Sequence, residues 1–110
     1  MILNDNEKVA IAAAMWVYDD REPGWGKDGG CGSIGYSKAP DMHDLVNIYE
    51  ALNKFDFELV KVTDSVICLL NPIYSWNGVM DDYLVKGQGK TIVDAVFNAL
   101  LAKYNYDLAN

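Results

Sequence analysis

Between Pro23 and Gly35 the chain reads Pro-Gly-Trp-Gly-Lys-Asp-Gly-Gly-Cys-Gly-Ser-Ile-Gly, with six glycines in thirteen positions. Two stretches of it, Gly24 to Gly29 and Gly30 to Gly35, carry the spacing G-x-G-x-x-G, with which a dinucleotide-binding turn brings backbone N–H groups onto a pyrophosphate. That chemistry needs a strand feeding the turn and a helix leaving it. Here a helical pattern precedes the glycines and five residues separate Gly35 from the next helical stretch, so a dinucleotide site is not expected. Such glycine density has an entropic cost on ordering, which implies a segment that is used by something or stays mobile.

Gly87-Gln88-Gly89-Lys90-Thr91 has the better context for an anion, because a strand pattern leads in and a helix leaves with its free N–H groups. A Walker-type loop would need a glycine at the position of Leu84, so the phosphate cradle is incomplete. A turn followed by a helix cap explains the same residues. Gly87, Gly89, Lys90 and Thr91 are kept as the ligand-contacting residues of an alternative reading, a small-molecule or nucleotide-binding module.

The remaining reactive side chains lack partners at recognisable spacing. His43 is the single histidine and reads as a solvated surface residue. Cys31 lies in the glycine-rich segment with no base to activate it, and Cys68 sits inside Val66 to Leu70, where it reads as a small buried hydrophobe. Asp19-Asp20 and Asp81-Asp82 would hold a divalent ion only if folded together, and serve equally as surface charge flanking loops. No catalytic residue, metal site or cofactor is assigned, and the chain is not read as an enzyme.

With a formal charge of −7 and a pI near 4.4, the chain repels phosphate backbones, which argues against direct nucleic-acid binding and favours partners with a basic surface. Trp25, Tyr36, Tyr74 and Trp76 fall in expected loops or strand ends. Aromatic residues of this kind dominate protein interfaces, although they serve equally to roof a core. Together these features point to a partner-binding surface of Asp19, Asp20, Glu22, Trp25, Trp76, Asp81 and Asp82.

The 110 residues, 51% of them apolar, suit one domain spanning 1–110. A first amphipathic helix is expected over Asp5 to Tyr18, capped by Asn4 or Asp5, with Val9, Ala13, Trp16 and Val17 on one face. Its alanines, Ala10 and Ala12 to Ala14, leave a narrow side for close approach of another backbone. The spacing predicts a second helix from an Asp41 cap to Phe55, with Leu45, Ile48, Tyr49, Leu52 and Phe55 along one side. Glu58 to Thr63, a turn at Asp64-Ser65 and Val66 to Leu70 read as a hairpin. The second strand is apolar throughout, hence central and covered on both faces, or covered on one and paired in an oligomer on the other. Asn77-Gly78 signals a turn and Tyr83 to Val85 a third strand. Thr91 and Asp94 open the last helix, whose apolar stripe is Ile92, Ala95, Val96, Ala99, Leu100 and Tyr104; its tail is expected to fray after Tyr106.

The expected fold is therefore α+β in the order α-loop-α-β-β-β-α: a three-stranded antiparallel sheet packed by two to three helices. The first helix completes the core or mediates a homodimer. No apolar run reaches the ~20 residues of a membrane span, and the polar start lacks the pattern of a cleavable leader, so no membrane partner and a cytoplasmic location are expected.

Tyr36-Ser37 ahead of the second helix, the tryptophan-bearing meander and the closing Thr91-Ile92-Val93-Asp94-Ala95-Val96-Phe97-Asn98-Ala99-Leu100-Leu101 resemble small phage-encoded proteins of the α-β-α sandwich type, over residues 36 to 104. That resemblance implies a phage or prophage accessory protein acting in the host cell. It also implies a counter-defence role such as that of anti-CRISPR proteins, which block a host nuclease complex by occupying its nucleic-acid groove. It carries no functional residue over, because that group has no shared motif.

Overall fold

Asn4 opens the first helix by doing what its side chain favours at a helix start. Its Oδ1 accepts from the Glu7 N–H at 2.8 Å, and Glu7 Oε1 accepts from the Asn4 N–H at 3.0 Å. This reciprocal capping box satisfies two of the donors that a helix start leaves unpaired. The computed structural model describes residues 2–13, 38–72 and 85–109. Helix α1 (Asp5–Ala12) has Ala13 as its C-cap, and the rest of the helix expected to Tyr18 lies outside the described residues. Trp16 and Val17 lie outside the described residues. Val9, Ala10, Ala12 and Ala13 are buried, and this small-residue side packs α1 against the last helix.

The segment entering the second helix is held from a distance. Asn6 of α1 donates through Nδ2 to the Pro40 carbonyl at 2.9 Å and accepts the Met42 N–H on Oδ1 at 2.8 Å. Met42 is thereby carried into the core, where it is fully buried. Asp41 stays in the turn and accepts the His43 N–H at 2.9 Å. Asp44 rather than Asp41 is the N-cap, accepting the Val46 N–H at 2.8 Å.

Helix α2 (Leu45–Leu52) is consequently shorter than expected, and Phe55 belongs to the strand that follows. Its buried side is Ile48, Ala51 and Leu52, whereas Leu45 and Tyr49, expected inside, are 59% and 65% exposed. The reason is geometric: α2 rests on the last helix and the first strand through this one narrow line, and its other apolar residues face out.

Strands β1 (Phe55–Val62), β2 (Ser65–Pro72) and β3 (Val85–Gly89) form one antiparallel sheet in the order β1-β2-β3. The β1–β2 turn is Thr63-Asp64, one residue earlier than expected. Pairing runs without a break from Phe55↔Pro72 to Val62↔Ser65. On β3 the register is Val66↔Gly89 to Leu70↔Val85, so the third strand extends beyond Val85 into the glycines, while Tyr83 and Leu84 lie outside the described residues.

Because side chains alternate across a strand, Cys68 and Leu70 point to the helices and are buried, while Ile67 and Leu69 point to the opposite face and are half-buried. β2 is central, as expected. The helices cover one of its faces, and no described helix lies on the other.

Helix α3 (Ile92–Ala109) starts where the Thr91 hydroxyl accepts the Asp94 N–H at 3.1 Å, and it runs to Ala109 rather than fraying at Tyr106. Ala95, Val96, Phe97, Ala99 and Leu100 are buried, while Ile92, expected in the stripe, is 46% exposed. α3 packs on all three other layers of the core, α1, α2 and the sheet. Burying a side chain such as Val96 or Leu100 contributes about 1.5–3 kcal/mol each.

Candidate functional site

The two edges of the sheet are finished differently. On β3 the Gln88 carbonyl accepts from Asn98 Nδ2 of α3 at 2.7 Å, so a helix side chain occupies a backbone group of that edge. Gln88 Nε2 also donates to Ser65 Oγ at 2.8 Å. β1 is eight residues long with no bulge, and no described strand pairs with its outer side. A strand of this kind presents a row of unpaired N–H and C=O groups, the standard template for pairing with another chain.

β1 is also apolar on both faces without being buried on either. Phe57 and Leu59 stand on the helix side, opposite Leu70 and Cys68, at 42% and 37% exposed. Val60 and Val62 stand on the outer face at 42% and 39%. Asp56 and Glu58 alternate with them on that outer face and Lys61 lies on the helix side. None of these three makes an ion pair with a described residue. A shallow, open depression of about 240 Å³ lies beside the two carboxylates, lined by Asp56, Phe57, Glu58, Leu69 and Asn71. Phe55 anchors the start of the strand, half-buried beneath Lys103, whose Nζ is 5.7 Å from the ring centroid and 2.6 Å from Asp107 Oδ2.

The residues expected to bind an anion sit elsewhere. Gly87 and Gly89 belong to β3 and face α3. A Cβ added at Gly87 would fall on the Ala99 backbone nitrogen and the Ala95 carbonyl, within 2.6 Å of the Ala99 Cα. One added at Gly89 would meet the Asp94 side chain and lie 2.8 Å from the Ala95 nitrogen. These glycines let helix and strand backbones approach. Lys90 and Thr91 follow them, both exposed, with the Thr91 hydroxyl engaged as the α3 cap.

His43 is exposed, as expected, and stacks on Phe97 with centroids 4.2 Å apart and an interplanar angle of 23°; its Nδ1 is 3.8 Å from Asp41 Oδ1. Cys68 is the buried hydrophobe the sequence implied, its thiol pushed up to about 11 by burial. Among the described residues no group of three His, Cys, Asp or Glu side chains could hold a metal ion. No described helix is long and apolar enough to cross a membrane.

Asp19, Asp20, Glu22, Trp25, Trp76, Asp81 and Asp82 all lie outside the described residues, as do Cys31, Tyr36, Tyr74 and both glycine fingerprints. Of β1, the sequence marks Glu58 to Val62 as strand but not as a surface, and it assigns Phe55 to the preceding helix. A signal was present: Phe55-Asp56-Phe57-Glu58-Leu59-Val60-Lys61-Val62 spreads apolar residues over both periods and interrupts each with charge. A central strand would lack the charge and a one-sided strand would keep its apolar residues to one period. Compared with known proteins, the chain matches no protein family, no curated protein and no solved structure.

Proposed function

We propose that the protein is a small protein-binding module that inhibits its partner by occupying it, with β1 and the adjoining exposed side of α2 as the gripping surface. The observation that carries this reading is the concentration of uncovered apolar side chains there. Seven of the eleven large apolar residues exposed among the described residues lie on these two elements, including Leu45, Val46 and Tyr49 of α2. Contiguous apolar exposure beside charge is typical of interaction sites. The acidic balance of the chain supports a basic partner surface, and binding of that kind weakens with salt. The resemblance to phage accessory proteins supports a host nuclease or another counter-defence target. Asp19, Asp20, Glu22, Trp25, Trp76, Asp81 and Asp82 remain the proposed flanking contacts.

The test is capture from host extract by the immobilised wild-type chain and by a Tyr49→Ser/Phe57→Ser/Val60→Ser variant, each at low and high salt. The reading expects a partner retained by the wild type at low salt, lost at high salt and lost with the variant. Identical capture by the two chains, or none at low salt, contradicts it.

A further inference from the structure

Resting on that reading, we infer that β1 takes its partner by strand addition, and that the segment it takes is an extended one whose lysine or arginine residues alternate with apolar ones. The juxtaposition behind this is the outer side of β1. Asp56 and Glu58 point to one face, two residues apart, and Val60 and Val62 continue the same row. Phe57 and Leu59 point to the other face, followed by Lys61.

In antiparallel pairing, residues directly opposite share a face, with Cβ atoms about 4.5–5.5 Å apart, and opposite charges there attract while like charges repel. An incoming strand therefore meets two carboxylates on the outer face near the start of β1. It meets apolar side chains on both faces at the middle, and one ammonium on the helix face near the end. Lys86 of β3 does not neutralise the carboxylates: it pairs with Leu69, which pairs with Glu58, so two strand spacings of about 4.8 Å each separate Lys86 from Glu58.

The same pattern disfavours a second copy of the chain as occupant. A two-fold antiparallel pairing of β1 with itself must centre on one residue for faces to match. Centred on Glu58 it opposes the two Glu58 carboxylates, and centred on Phe57 it opposes Asp56 to Glu58. Centred on Leu59 it leaves the two Glu58 side chains as diagonal neighbours about 7–8 Å apart. Centred on Val60 it escapes repulsion but sets Glu58 opposite Val62 and Lys61 opposite Leu59, so no charge of β1 meets an opposite charge directly across the pair. A heterologous strand with cations opposite Asp56 and Glu58 meets none of these repulsions. It also covers the half-exposed Phe57, Leu59 and Val60, and main-chain hydrogen bonds along the edge supply affinity while alternate side chains supply selection.

The probe is the blocked peptide Thr-Glu-Val-Val-Lys-Val-Lys-Thr, written so that its lysines oppose Glu58 and Asp56 and its glutamate opposes Lys61. It is titrated into the full chain and followed by amide NMR. Three controls accompany it: the charge-swapped peptide Thr-Lys-Val-Val-Glu-Val-Glu-Thr, the first peptide N-methylated at alternate residues, and an Asp56→Lys/Glu58→Lys chain. The inference expects shifts centred on β1 with the first peptide and about tenfold weaker binding of the swapped one. It expects no binding of the N-methylated one, and a reversed peptide preference in the variant. Equal affinity for the two charge patterns, binding that survives N-methylation, or a free chain that is already a β1-paired dimer overturns it. Should these fail while capture from extract still depends on Tyr49, Phe57 and Val60, the partner reading stands and the strand-addition mode falls.

Discussion

Gly87 is replaceable by no other residue in this packing, because the position a Cβ would take is already filled by the Ala95 and Ala99 backbone of α3. Gly87→Ala is expected to cost about 2–3 kcal/mol, the upper range for overpacking, since backbone rather than a movable side chain must yield. A lowered denaturant midpoint with an unchanged slope is the signature to look for. Cys68 offers a pH counterpart. Its folded thiol titrates near 11 against an ordinary 9.0, so below pH 9 both states keep the proton and the full contribution is present. Between about 9 and 11 the unfolded chain loses the proton and the folded chain keeps it, so stability falls as pH rises. Denaturant midpoints measured from pH 8 to 11 should decline more steeply for the wild type than for Cys68→Ala, Cys31 being common to both. Cys68 was legible from its apolar run. The packing role of Gly87 was not, since it depends on which helix crosses the strand.

At the scale of elements, the caps separate what is local from what is not. Asn4 and Thr91 were identifiable because each cap is made with a residue three positions away. Asp44 was not, because its role follows from Asn6 holding Met42 across 36 residues, which fixes 41–44 as a turn and delays the helix. Asp44→Ala is therefore expected to destabilise by about 1 kcal/mol through loss of the α2 cap. Asn6→Ala should cost about 1–3 kcal/mol, because it frees the Met42 N–H and the Pro40 carbonyl together, both part-buried in this clasp. Thermal and denaturant unfolding check both values. If Asp41→Ala proves as costly as Asn6→Ala, the clasp is not what sets the start of α2. The hairpin and the last helix were readable from period and turn chemistry. The start of α2 was decided by contacts that no window of sequence contains.

For the whole molecule, the α+β class and the element order were visible because capping and turn residues punctuate the chain and the β-branched runs Val60 to Thr63 and Val66 to Leu70 stand between helical stretches, but the surface that matters was not. Which strand is left outermost depends on strand order: among the described residues β3 pairs with β2 beneath α3, and β1 has a strand on one side only. The described residues carry ten acidic and seven basic side chains, so only −3 of the −7 charge lies on them. On β1 the described acidity takes a definite form, two carboxylates in register beside exposed Val60 and Val62.

Residue-resolved amide hydrogen exchange of the free, monomeric chain reads whether the outer side of β1 is open. An open edge gives slow exchange along β2 and an alternation in β1, every second amide fast because it points away from β2. Uniform protection of all β1 amides would mean that the edge is already covered and that no strand can add to it.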